Sequence, residues 1–348
     1  MEGVRPLAVL GATGFTGRLV VERARELALP LRLVGRNRGA LEQFAREGEE
    51  VRVADARHEQ ELIEAFEGAF AVASTAGPFL ELGTKPVGAA IAVGAHYLDS
   101  SGEQEFARVV YEGFGDSAEE RDLVLLTSFG FDYVPGDFAA RLAAEELDEP
   151  LDEVVVAYST TAQVTSAGTR ATIGHVMSQA LVAWEDGLVP SRFGKTTRVV
   201  RFPFGERTVV EWAGTEPLTV PRHTRVHRVR SYFRAPRAAA YGGLVGPLVG
   251  PLVKLSGRVG GDPSPEKRRR NRWTVVAEAS VGARRRRATL AGTDTYGLAG
   301  LLLACGADAL RSGEGRAVGA CAPAEAFDVR AFASRLSPLL EVVSVEDA

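Results

Sequence analysis

The sequence predicts an α/β protein in two parts, a doubly wound parallel sheet covered by helices followed by an α+β region whose sheet is mostly antiparallel. Three observations carry this. Residues 6–135 alternate short apolar runs with amphipathic stretches, a glycine-rich turn joins the first run to the first stretch, and after Pro135 the apolar positions recur at every second residue over longer segments.

In chain order, residues 6–10, 31–34, 51–54, 69–74, 96–98 and 123–127 are near-continuous apolar runs, the pattern of strands buried on both faces. Between them, 15–28, 39–47, 59–67 and 85–93 carry helical period, and 117–121 forms one turn. Beyond Pro135 the reading is a helix over 136–146, a strand over 154–159 and a helix over 171–183. Alternating strands follow over 207–212, 225–233 and 272–279, with a strand that turns and returns across 281–289. A helix over 298–310, a further stretch over 327–336 and a strand over 340–345 complete the chain.

The composition of 45% hydrophobic and 25% charged residues is that of a globular protein, and 348 residues exceed one comfortable core. Cys305 and Cys321 fit neither a metal spacing nor a disulfide framework, and the opening residues lack an export signal's apolar core. A cytoplasmic protein is expected. Net charge is −4, yet residues 191–290 hold 22 Lys and Arg against 6 Asp and Glu, leaving −20 elsewhere. Two readings of this basic block stay open: a solvated sheet face, or contact with an anionic membrane surface or acidic acyl carrier, with no nucleic-acid partner expected. Residues 238–253 carry no charge and are too short, and too rich in Gly and Pro, for a membrane span; they are read as a buried loop or a shallow peripheral membrane contact.

The chemistry sits at Gly11-Ala12-Thr13-Gly14-Phe15-Thr16-Gly17, between the first strand and first helix. Glycines there permit a tight turn and close approach of backbone to a pyrophosphate, whose charge meets the positive helix end. Arg36 ends the second strand with Asn37 behind it, where an NAD site would place an acidic residue; an arginine suits a 2′-phosphate, so NADP is expected over NAD. Topology puts Asp55 near the adenine amine and Ala76-Gly77-Pro78 beside the nicotinamide-side ribose. No tyrosine has a lysine four positions on, so the usual catalytic pair of short-chain dehydrogenases is absent.

These motifs, with Ala76–Phe79, residues 94–103 (GAHYLDSSGE), residues 130–137 (GFDYVPGD) and residues 292–297 (GTDTYG), resemble the saccharopine dehydrogenase-like oxidoreductases. Within them the chain is similar to the branch holding trans-acting enoyl reductases and the animal saccharopine dehydrogenase-like proteins. The resemblance implies a Rossmann dinucleotide-binding domain over 1–137, an α+β substrate or interaction domain over 138–290, and a C-terminal helix and strand over 291–348 returning to the first domain. It implies an oxidoreductase using NADP or NAD, acting on a small-molecule, apolar or carrier-bound acyl or lipid substrate, and with Arg36 an NADP-dependent one is expected. A saccharopine-like amino-acid dehydrogenase and a non-catalytic dinucleotide-binding protein are the alternatives, and a homo-oligomer is an open expectation. Asp99, Asp132, Tyr133 and His175 are the candidate proton donors, and each also has an ordinary structural reading. The five histidines form no metal-ligand pattern, His223 and His227 lying four apart in what reads as a strand, so no metal is expected.

Overall fold

A computed structural model of the chain describes residues 5–161, 181–235 and 262–348. The chain divides into two units. The first comprises Met1–Ser101, Glu105–Phe131 and Tyr296–Cys321; the second comprises Gly102–Gln104, Asp132–Thr295 and Ala322–Ala348.

The first unit is a seven-stranded, wholly parallel sheet. Its strands are β1 (Leu7–Leu10), β2 (Leu31–Gly35), β3 (Glu50–Val53), β4 (Ala71–Ser74), β5 (His96–Asp99), β6 (Val124–Leu126) and β15 (Gly319–Ala320). They lie in the order β15-β6-β5-β4-β1-β2-β3, so the order reverses between β1 and β4, the switch point at which open sheets bind ligands. Strands β1, β4 and β6 are buried at every position, as the apolar runs require. Helix α1 (Phe15–Glu26) buries Val20, Val21 and Ala24 at helical spacing. Helices α2 (Arg38–Phe44), α3 (Glu59–Phe66), α4 (Phe79–Leu82), α5 (Thr84–Ala92), α6 (Gln104–Gly113) and α7 (Gly115–Glu119) follow. Leu62, Phe66, Val72, Tyr97, Phe106 and Leu125 share one core. Arg32, buried on β2, is satisfied by donating to the carbonyls of Ala65 (3.0 Å) and Glu67 (2.6 Å) at the end of α3 and by pairing with Glu50.

The second unit holds nine described strands in one mixed sheet: β7 (Glu153–Thr160), β8 (Leu181–Glu185), β9 (Leu188–Ser191), β10 (Thr197–Phe202), β11 (Gly205–Glu211), β12 (Arg228–Arg234), β13 (Arg272–Val281), β14 (Arg284–Thr293) and β16 (Leu340–Asp347). All pairs are antiparallel except β12 with β7. Helix α8 (Val134–Ala144) packs on β13 and β14 and is almost wholly buried.

Three expectations are corrected. The amphipathic stretch α6 went unassigned in the sequence, although Phe106, Ala107 and Val110 form its buried stripe. The helix expected over 171–183 falls outside the described residues up to 180, and Leu181–Ala183 is strand. There the chain pairs antiparallel with residues 189–191, and Val182 also donates to Gln104 Oε1 (2.8 Å) and accepts from Gln104 Nε2 (3.1 Å). His223, expected on a strand, ends the helix Glu216–His223. The uncharged 238–253 segment lies outside the described residues.

Candidate functional site

In the first unit, the glycine turn is shaped by close approach. Gly11 takes φ 82°, which disfavours any residue with a Cβ, and a Cβ at Gly17 would lie 2.1 Å from the Gly11 carbonyl oxygen. Thr75, directly after β4, donates its hydroxyl to the carbonyls of Leu10 (3.1 Å) and Gly11 (3.4 Å), locking the turn to the neighbouring strand. Helix α1 begins at Phe15 behind Gly14, with no side-chain cap and no acidic residue in its first turn. An uncapped helix start with its carboxylates kept away suits an anion. Thr13 turns its carbonyl to Arg18 Nε (3.0 Å), and Phe15 packs edge-on to Tyr296 with ring centroids 5.1 Å apart. The turn therefore fits a dinucleotide pyrophosphate.

At the carboxyl edge of β2, Arg36 is exposed and makes no hydrogen bond or ion pair among the described residues. Asn37 caps α2, its side-chain oxygen accepting the Ala40 N–H (3.1 Å). Asp55, after β3, accepts two bonds from the Arg57 guanidinium (3.0 and 2.6 Å) and one from the Arg57 N–H (3.0 Å). Those bonds, reinforced by the charge of Arg36, hold its carboxyl far below the usual range. Arg57 is thus a second oriented guanidinium at this edge; the Asp-x-Arg spacing after an apolar run was the signal for it. Residues Ala76 and Gly77 follow β4, and Pro78 precedes α4.

The four proton-donor candidates meet different fates. Asp99 ends β5 fully buried, and burial pushes its carboxyl up to about 6 against the pull of the Ser128 and Ser101 N–H groups. Tyr133 is buried in the second unit, donates its hydroxyl to the Ala213 carbonyl (3.2 Å) and stacks on Trp212. Asp132 keeps an exposed surface and makes no side-chain hydrogen bond among the described residues, while the protein massed around it pushes its carboxyl up to about 6. His175 lies outside the described residues.

The second unit also holds a buried carboxyl that the sequence did not single out. Glu216 is fully buried; Tyr158 and Ser231 donate their hydroxyls to its two oxygens, and burial pushes it up to about 7. Its partners are 58 and 15 residues away, so no local motif reveals them. Nearby, buried Asp137 accepts from His223 Nε2 (2.9 Å) and from the Ala324 N–H (2.8 Å).

Part of the basic block is paired with acids from outside residues 191–290. Arg198 pairs with Glu153, Arg222 with Glu325, Arg225 with Glu149, Arg284 with Asp148, and Arg286 with Glu146 and Asp347. Lys267, Arg269, Arg270 and Arg272 stay exposed. Among the described residues no group of three His, Cys, Asp or Glu is placed to hold a metal, and no helix is long and apolar enough to cross a membrane.

Comparison with known proteins places these features in a family setting. Residues 11–152 match a family model described as NAD(P)H-binding. A mouse saccharopine dehydrogenase-like oxidoreductase is 27% identical over 168 residues, covering 42% of this chain and 39% of the relative. A Caenorhabditis elegans relative, called lipid droplet localized protein, is 28% identical over 162 residues, covering 42% and 38%. The matched regions thus span under two fifths of these relatives' own length. Across the whole fold, apo saccharopine dehydrogenase (L-Glu forming) from Saccharomyces cerevisiae superposes with a TM-score of 0.65 at 11% identity, covering 99% of this chain and 100% of that one. The likeness to saccharopine dehydrogenase-like oxidoreductases read from the motifs therefore holds in sequence over 42% of the chain, and the fold of saccharopine dehydrogenase matches over 99% of it.

Proposed function

We propose that this saccharopine dehydrogenase-like chain is a nicotinamide-dinucleotide-dependent oxidoreductase that prefers NADP and acts on an apolar, acyl or lipid-like substrate. The observation that carries the reading is the uncapped start of α1 behind a turn that only glycines fit, with Arg36 exposed at the end of the next strand. The backbone of Gly11–Gly17 holds the pyrophosphate, and Arg36 with Arg57 faces the 2′-phosphate. When bound, the cofactor supplies or accepts hydride. Of the described proton-donor candidates, Asp99 is enclosed and the Tyr133 hydroxyl is committed to a carbonyl, which leaves Asp132, open to solvent, to exchange a proton with substrate.

The apolar substrate class is supported by the lipid-droplet name of the nematode relative. Exposed Lys267, Arg269, Arg270 and Arg272 favour a peripheral contact with an anionic membrane. The test of the central reading is a fluorescence titration of the whole chain with NADPH and NADH. Tighter binding of NADPH is expected, and binding of neither overturns the reading. Turnover of acyl thioesters against amino acid with 2-oxo acid separates the substrate classes.

A further inference from the structure

Asp99 anchors two connections at the carboxyl edge of the parallel sheet. Its Oδ1 accepts the N–H of Ser101 (2.8 Å), just after β5, and the N–H of Ser128 (2.9 Å), just after β6. Its main-chain carbonyl accepts a third, from Phe129 (2.7 Å). Ser128 is held at φ 56°, in the left-handed region, so that its N–H reaches the carboxylate from a conformation a serine does not favour alone. Across the sheet Asp99 is paired with Ser74 on β4, and the residue after Ser74 is Thr75, whose hydroxyl locks the glycine turn. A short path of strand pairing and hydrogen bonds therefore runs from Asp99 to the pyrophosphate cradle, within one unit.

Around this carboxylate lies a cluster of buried hydroxyls. Those of Thr127 and Tyr97 act on the Asp99 carboxyl and that of Ser74 on Tyr97, so Asp99 sits inside a polar network at the sheet edge. The groups facing Asp99 are Ser74 on β4, Tyr97 on its own strand, Ser101 after it, and Thr127 and Ser128 after β6. From the helix Thr295–Arg311, Ala299 comes beside Gly130 and the Ser100 corner, and Gly306 against Leu98 and Phe129.

We propose that Asp99 is a positioning residue for the dinucleotide: its carboxylate sets the backbone after β5 and β6 into the surface on which the nicotinamide end of the cofactor lies. The inference rests on the dinucleotide-binding reading above. Ligands of open parallel sheets sit at the carboxyl ends of the strands, which is where these connections are. As a carboxylate Asp99 only accepts, and it gathers N–H groups; once protonated, or as Asn, it also donates, and the hydroxyls around it must reorient. Its ionisation falls inside an accessible range, since burial raises it to about 6.

The experiment measures Kd for NADPH and NADH by fluorescence from pH 5.5 to 8 on the wild-type chain and on Asp99→Asn, with thermal unfolding of both. NADH is the probe for the pH series, because the 2′-phosphate of NADPH itself titrates at about 6. At pH 8, Asp99→Asn is expected to stay folded and bind about tenfold more weakly, while toward pH 5.5 the wild type weakens to meet a variant whose affinity is flat. A folded Asp99→Asn chain that binds as tightly as wild type at pH 8, or that keeps the wild-type pH profile, overturns the proposal. Should the variant fail to fold, hydrogen exchange on the wild type decides: the amides of Ser101, Ser128 and Phe129 slow when NADPH is added, and unchanged exchange overturns it. A wild-type chain that binds neither dinucleotide shows up separately, as failure of the functional reading itself.

Discussion

Gly136, on α8, lies so close to Glu216 that a Cβ there would stand 2.1 Å from the buried carboxyl oxygen and as near to the Tyr158 hydroxyl that bonds it. The helix thus keeps a hole open for one acidic side chain. Gly136→Ala is expected to destabilise the second unit by about 1–3 kcal/mol, the usual cost of overpacking, read as a lower denaturant midpoint. A midpoint equal to wild type would show that Glu216 moves aside without penalty.

The same carboxyl predicts a pH dependence of stability. Its folded value is raised to about 7 from 4.5, so the unfolded chain loses its proton first as pH rises. Its contribution is fully present below about pH 4.5, is lost progressively up to about 7 and is then constant, a change on the order of 3 kcal/mol. Glu216→Gln should remove that slope and gain on the wild type as pH rises from 5 to 8. Urea unfolding at several pH values checks this, and parallel pH curves for the two chains contradict it.

Gly17→Ala forces a methyl group toward the Gly11 carbonyl. Loss of dinucleotide binding by two orders of magnitude or more, about 3 kcal/mol, is expected, with a lowered Tm. Retained affinity would mean that the turn opens freely and is not the cradle described above.

Arg36→Ala should weaken NADPH by roughly tenfold or more while leaving NADH nearly unchanged, because only the former carries the 2′-phosphate. Arg57→Ala should do the same more weakly and also release Asp55 toward an ordinary carboxylate titration, since Arg57 supplies the bonds that hold it low. Equal losses for both cofactors in either variant would place these arginines elsewhere than at the ribose phosphate.

His223→Ala leaves the Asp137 carboxylate buried with only the Ala324 N–H in place of two partners. Leaving a buried carboxylate short of one hydrogen-bond donor costs on the order of 1–3 kcal/mol, and urea unfolding should show a loss in that range. A change under 1 kcal/mol would mean that solvent reaches Asp137.

The first unit was legible in the sequence to the extent that its strands are buried on both faces. Leu7–Leu10 and Ala71–Ser74 have no polar position to confuse the reading. Gly11 and Gly17 were found because a turn of that shape excludes other residues, and Arg36 because its place after β2 is fixed by chain distance from them. What stayed hidden depends on contacts between distant residues. The Gln104 amide that bonds Val182 comes from 78 residues away, and the Glu216 cluster rests on Tyr158 and Ser231. Asn37 and Asp55 follow β2 and β3, and their side chains are engaged by Ala40 and Arg57, which spacing alone does not tell. Strand β15, two residues long, has no period to read.

That short strand has a consequence for synthesis. Gly319 and Ala320 pair with Val124 and Leu125 at the margin of the parallel sheet, and Tyr296–Cys321 belongs to the same unit. Growing from its N-terminus, the nascent chain must therefore make and store the six preceding strands while more than 160 further residues, most of the second unit, leave the ribosome. Until then the β6 margin is an open parallel edge, able to pair with the wrong chain. Translation that stalls near residue 290 should release a sticky intermediate, and a circular permutant that brings 296–321 ahead of β1 should fold its dinucleotide-binding half with less aggregation than the natural order.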